Sequence, residues 1–124
     1  MKYQMYAQRI FCFNWQECVS FYKETIGLPV KFEDENMGWA EFDLGGVSFA
    51  VERQDQHDAE AQSLVGRFVG MSIQVENIEE VCQELIRKGV EFEGLPAKQP
   101  WGGILAHFKD PDGNVITLLC GVSA

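Results

Sequence analysis

Two residues of this 124-residue sequence carry side chains for acid–base work and stand at matching points of a repeated pattern: Glu41 in Ala-Glu-Phe-Asp and His107 in Ala-His-Phe-Lys. An imidazole ordinarily titrates near neutrality, so His107 can serve as a general base. The alternative is a strand histidine that is exposed or held by a structural hydrogen bond, because a lone histidine with no nucleophile or metal is poor evidence of catalysis. His57 lies in a polar stretch and is expected to be solvated. Arg9 offers a planar fork of donors for a carboxylate or phosphate, or else for a neighbouring acid of its own chain. Trp39, Trp101, Phe11 and Phe68 can stack on a flat ligand, and an indole face can take a cation. In a small β protein such rings also fill the core. Trp101 is the best placed of them, because Pro100-Trp101-Gly102-Gly103 reads as an exposed, mobile loop at a strand entrance.

Composition narrows the classes of function. Ten basic residues against 19 acidic ones give a net charge of −9, which argues against nucleic acid, whose phosphates need a basic face. An acidic chain permits a cationic small molecule, although solubility alone accounts for such a charge. No apolar run is long enough to cross a membrane, and the first residues do not have the form of a signal peptide. The expectation is a soluble, cytoplasmic protein with no membrane partner. Cys12, Cys18, Cys82 and Cys120 contain no Cys-x-x-Cys pair. Three sit within apolar patterns, as small hydrophobes do, so a zinc site is not expected from them.

The elements that must position these residues recur. Residues 6–13 alternate as a strand. Asn14 is suited to cap a helix running to about Ile26, with Glu17 at the capping-box position and Gly27 at the end. Cys18, Val19, Tyr22 and Ile26 form its apolar face. Strands follow at 30–33, 39–44 and 47–52, the last two joined by Gly45-Gly46. Residues 53–69 are polar and read as a connector with room for one helical turn. The pattern then restarts: a strand at 70–75, Asn77 capping a helix with Ile78, Val81, Cys82 and Leu85 inward, and strands at 90–92, 103–109 and 114–120. Asp110-Pro111-Asp112-Gly113 supplies the turn before the last strand. Asn14 aligns with Asn77, residues 40–43 align with 106–109, and Gly46 aligns with Gly113. The period of about 60 residues marks a duplicated βαβββ unit. The expected class is α+β, a single domain built of module one (1–52), a connector (53–69) and module two (70–124).

The chain resembles the vicinal oxygen chelate superfamily, which includes glyoxalase I, the bleomycin-resistance proteins and the extradiol dioxygenases. The resemblance rests on a strand followed by Asn14, on Phe21-Tyr22 and Ile26-Gly27-Leu28, and on Phe108-x-Asp-Pro-Asp-Gly-Asn before a final strand. It implies two half-barrels with helices outside, facing each other as a cup that holds the ligand, and pairing of chains as homodimers. Family enzymes hold a divalent metal by His and Glu on the first and last strands of each module, and the metal polarises neighbouring substrate oxygens. Counted from Asn14 and Asn77, the first-strand positions are Ala7 and Gly70; the last-strand positions are Ala50 and Thr117. None is a strong ligand. A slip to Gln8 or Met71 points to the opposite face, and Glu52 is the one plausible substitute.

The expectation is therefore no cofactor, with a divalent metal as the alternative. If Ala7 faces the cup, so do Arg9 and Phe11; if Gly70 does, so do Ser72 and Gln74. Ser48, Ala50 and Glu52 share a face, as do Val115, Thr117 and Leu119, and Trp39 shares that of Glu41. Small residues at the centre leave room for a ligand. The expected ligand-binding set is Arg9, Phe11, Trp39, Ala50, Glu52, Ser72, Gln74, Trp101, His107 and Thr117, with His107 and Glu41 the catalytic candidates. The function this implies is binding or sequestering a small molecule, cationic or aromatic. The alternative is a glyoxalase-like lyase or isomerase, or a dioxygenase-related enzyme, with displaced metal ligands or metal-free His/Glu chemistry. A third possibility is an interaction module whose cup is filled.

Overall fold

The computed structural model describes residues 1–121. The chain divides into two compact units, Met1–Gly66 and the remainder from Arg67. The first unit runs β1 (Ala7–Cys12), α1 (Trp15–Ser20), β2 (Val30–Asp34), β3 (Trp39–Leu44) and β4 (Val47–Arg53). Its sheet has the order β1-β4-β3-β2, with β1 parallel to β4 and the other pairs antiparallel. The second unit runs β5 (Phe68–Gln74), α2 (Ile78–Arg87), β6 (Glu91–Phe92), β7 (Ala97–Lys98), β8 (Ile104–Lys109) and β9 (Val115–Cys120). It repeats the layout as β5-β9-β8-β6, with β5 parallel to β9 and β7 also on β8. Two β-α-β-β-β layouts in one chain make this an α+β fold, as the sequence pattern implied.

In the first unit, α1 covers the face formed by Ile10, Cys12, Phe42, Phe49 and Val51, all buried. Tyr22 sits edge-on to Phe49 at 4.9 Å and is joined by Phe42 at 6.3 Å. Such ring pairs contribute roughly 0.5–1.5 kcal/mol each beyond their burial. Trp15 is also core: its indole donates to the Val51 carbonyl at 3.0 Å, and the Arg53 guanidinium lies over its ring. In the second unit Ile78, Cys82 and Leu85 of α2 are buried, whereas Val81 is only half-buried.

Four local features differ from the sequence reading. Asn77 caps α2 by accepting from the Glu80 amide at 3.2 Å, but the Asn14 side chain makes no cap on α1. That helix ends in a wider turn over Phe21–Thr25, whose Ile26 amide donates to the Phe21 carbonyl, before Gly27 turns the chain at φ 84°. The strand expected from Gly70 begins at Phe68, so the connector between β4 and β5 is shorter than 53–69 and carries one tight helical turn at Glu60–Ser63. The edge strand of the second unit is split into β6 and β7, because Gly94 at φ 106° and the donor-less Pro96 interrupt pairing with β8.

The hairpin turn is fastened from within. Asp110 is buried; its Oδ1 accepts from the Asp112 and Asn114 amides at 2.9 and 3.0 Å, and its Oδ2 accepts from Asn114 Nδ2 at 2.9 Å. Gly113, at φ 84°, donates its amide to the Asp110 carbonyl.

Candidate functional site

Strand alternation turns one face of each sheet away from its helix, and the candidate residues on the strands fall on that face in short cross-strand rows, whereas Trp101 lies in the turn before β8. In the first unit one row is Arg9–Ala50–Glu41 and the next is Phe11–Glu52–Trp39. In the second the corresponding row is Ser72–Thr117–His107, followed by Gln74–Leu119–Leu105. Ala50 and Thr117 thus hold matching central places, flanked by Glu41 and His107, as the internal repeat implied.

Glu41 is 5% exposed. Its Oε1 accepts from the Tyr6 hydroxyl at 2.5 Å and from the Trp39 indole nitrogen at 2.9 Å. The Lys31 ammonium lies 3.9 Å from Oε2 and donates to the Ser48 hydroxyl at 2.7 Å. The Tyr6 hydroxyl first, then the Trp39 indole, hold the Glu41 carboxyl below its usual range, against the opposing effect of burial. The same bond keeps the Tyr6 phenol protonated above its ordinary value. Glu41 is therefore an ionised acceptor surrounded by donors, which orients Trp39 and Tyr6 and leaves it little capacity to accept a substrate proton.

Arg9 pairs with Glu52 at 3.0 Å and stands over the Phe11 ring at 5.4 Å. The other Glu52 oxygen accepts from Gln54 at 2.9 Å. Half-exposed pairs of this kind contribute roughly 0–1 kcal/mol, so Arg9 can exchange Glu52 for a ligand anion at small cost.

His107 is half-buried. Its Nδ1 lies 2.9 Å from the Thr117 hydroxyl, and Phe68 stands edge-on to its ring at 5.8 Å. The hydroxyl fixes the ring and leaves Nε2, on the opposite side, available to a ligand. Phe68 reaches this place through an irregularity in β5: it pairs with Val115, and the next pair is Ser72 with Thr117. Gly70 lies within that bulge at φ 79°, a region side chains rarely adopt. In the ladder, Phe68 therefore occupies the place that Ala7 holds opposite Ser48 in the first unit. Counting back from Asn77 could not find this, since a bulge leaves no mark in a residue count.

Trp101 is 59% exposed, with its ring folded over Gly103, where a Cβ would fall 2.0 Å from a ring carbon. The sequence reading passed over Tyr6, Lys31 and Ser48 as partners of Glu41. Tyr6 lies just before β1; strand alternation would have aimed it at the helix. Cys12, Cys18 and Cys82 are buried and Cys120 half-buried, all as free thiols. No helix among the described residues is long and apolar enough to cross a membrane.

Comparison with known proteins agrees with this fold. A curated relative, the uncharacterized protein YraH of Bacillus subtilis (strain 168), is 30% identical over 122 residues, covering 89% of this chain and 92% of its own. A superfamily member from Sphaerobacter thermophilus DSM 20745 superposes with a TM-score of 0.82 at 24% identity, covering 96% and 98% of the two chains. TnmS3, an antibiotic binding protein from Streptomyces sp. CB03234, superposes with a TM-score of 0.72 at 25% identity, covering 98% and 100%. The sequence model of one family matches residues 5–118. The chain belongs to the Glyoxalase/Bleomycin resistance protein/Dioxygenase superfamily.

Proposed function

We propose that this protein binds or sequesters a small molecule on the helix-free faces of its modules and does so without a resident metal. The observation that carries this reading is the chemistry at the four places where the enzymes of the family hold their metal. Ala50 offers a methyl group, and the Thr117 hydroxyl is engaged with His107. Ala7 offers another methyl, and in the second unit the bulge at Gly70 puts the Phe68 ring in the matching place. The substitute carboxylate, Glu52, has both oxygens engaged by Arg9 and Gln54. A divalent cation needs imidazole or carboxylate donors with open positions left for substrate, and these four residues do not fit one. The likeness to TnmS3, an antibiotic binding protein, supports binding in place of turnover.

The protein would act as a cytoplasmic homodimer. Exposed apolar side chains on β2 and around it, Val30, Phe32 and Met37, support self-association. Ligand binding stabilises the folded state by mass action. A thermal-shift screen of aromatic metabolites, cationic glycopeptides and antibiotic-like compounds should therefore raise the melting temperature for at least one class. A screen of that breadth with no shift would overturn the reading.

One observation favours a second reading, metal-free catalysis: Thr117 orients His107 as a positioning partner orients a catalytic imidazole. If the protein turns over a substrate, His107→Ala should abolish turnover; full retained activity would exclude that residue.

A further inference from the structure

Tyr6 is at once one of the more exposed aromatic residues and a partner of a buried carboxylate. The residue is 71% exposed, yet its hydroxyl donates at 2.5 Å to Glu41, which is 5% exposed. Tyr6 enters from the edge strand β1, whereas Glu41 belongs to β3, and β4 lies between them. At about 4.8 Å per strand, the two side chains together span β4. Little apolar burial holds the phenol in place. What retains it is one hydrogen bond to an ionised acceptor.

The pocket beside it is suited to the same chemistry. A cavity of about 290 Å³ is walled by Met5, Tyr6, Lys31, Val47 and Ser48. It falls just below the size range of ligand sites, roughly 300–1,000 Å³, and withdrawing the Tyr6 ring would enlarge it. Lys31 and Ser48 touch each other, and Lys31 lies 3.9 Å from Glu41. The Trp39 indole, bonded to the same Glu41 oxygen as Tyr6, fixes the position of a second aromatic surface.

We propose that Glu41, Trp39 and Lys31 form a recognition site for a hydroxylated aromatic ring, and that Tyr6 occupies it as an internal stand-in which the ligand displaces. This rests on the binding function proposed above and names the ligand class for the first module. The ligand hydroxyl donates to Glu41 Oε1 in place of the Tyr6 hydroxyl, and its ring lies beside Trp39. The charge balance selects a neutral donor over a cation: Lys31 already faces the other Glu41 oxygen, so the pair carries no net charge and an entering ammonium meets an ammonium. The acidity of the whole chain therefore does not set the preference of this site.

The test uses p-cresol, which is the tyrosine side chain itself, with toluene and benzylamine as comparators. Binding to the full chain is read from the Trp39 indole N–H resonance, assigned with Trp39→Phe. Tyr6→Ala removes the stand-in at an exposed position. It should bind p-cresol about tenfold more tightly than the parent, the factor expected when the internal phenol is in place nine-tenths of the time. In Tyr6→Ala, p-cresol should outbind both toluene and benzylamine, and adding Glu41→Gln, which leaves only a neutral acceptor, should narrow the margin of p-cresol over toluene. Equal p-cresol affinity in the parent and Tyr6→Ala overturns the proposal, as does toluene equal to p-cresol or benzylamine above it. Should the double variant fail to fold, the three-probe comparison in Tyr6→Ala decides alone. A compound from the thermal-shift screen that binds without moving the Trp39 resonance would leave the binding function standing and overturn this site.

Discussion

Replacing Glu41 by glutamine changes one oxygen to an amide in the polar cluster of the first module, and the structure gives both the size and the pH dependence of the result. In the parent, Oε1 receives the Trp39 indole at 2.9 Å and the Tyr6 hydroxyl at 2.5 Å. Hydrogen bonds to a charged acceptor contribute about 1.5–3 kcal/mol, against about 0.5–1.5 for neutral pairs. Losing the charge therefore costs about 1 kcal/mol at Trp39. The exposed Tyr6 is left out of this sum, and the half-exposed Lys31 at 3.9 Å adds a few tenths at most. Glu41→Gln should thus lose about 1–1.5 kcal/mol in urea unfolding at neutral pH. The Glu41 carboxyl is held below its ordinary value of 4.5 in the fold. Its stabilising contribution is complete above the unfolded value and is lost as pH falls through the lower folded value. The gap between parent and variant should therefore close in acid. A gap unchanged down to the acid limb, or no gap at neutral pH, would refute the view of Glu41 as an ionised, donor-saturated acceptor.

Other consequences are local. Asp110→Ala strips the acceptor from two amides and the Asn114 side chain, with Asn114 fully buried; urea unfolding should show a loss of about 3 kcal/mol. Asn77→Ala removes a formed cap and should cost about 1 kcal/mol, whereas Asn14→Ala, at a helix its side chain does not cap, should cost less. Gly103→Ala places a methyl 2.0 Å from the exposed Trp101 ring. It should move that ring, seen as a change in tryptophan emission against a Trp101→Phe control, with little change in melting temperature.

Much of the architecture was legible because the two halves repeat the same punctuation. Gly27 and Gly89 end helices at positive φ, Gly45-Gly46 and Gly113 turn hairpins, and alternation assigned the faces of β3, β4, β8 and β9. The rows Arg9–Ala50–Glu41 and Ser72–Thr117–His107 follow from that alternation. What stayed hidden were departures from regularity. The bulge in β5 brings Phe68 to His107, and Gly94 with Pro96 splits an edge strand. Tyr6 reaches a carboxylate 35 residues away. Residue spacing carries no record of such long-range contacts, so a sequence reader sees Glu41 as a possible base and misses the donors that hold it ionised.

The most direct test of the central claim is metal analysis, by plasma mass spectrometry, of the full chain purified without chelator and then offered nickel, zinc, manganese or iron. With methyl groups at Ala7 and Ala50, the Phe68 ring in the place that matches Ala7, and an engaged hydroxyl at Thr117, the protein should retain far less than one equivalent of any of them after desalting. A near-stoichiometric divalent metal, lost on replacing Glu52 or His107, would contradict it.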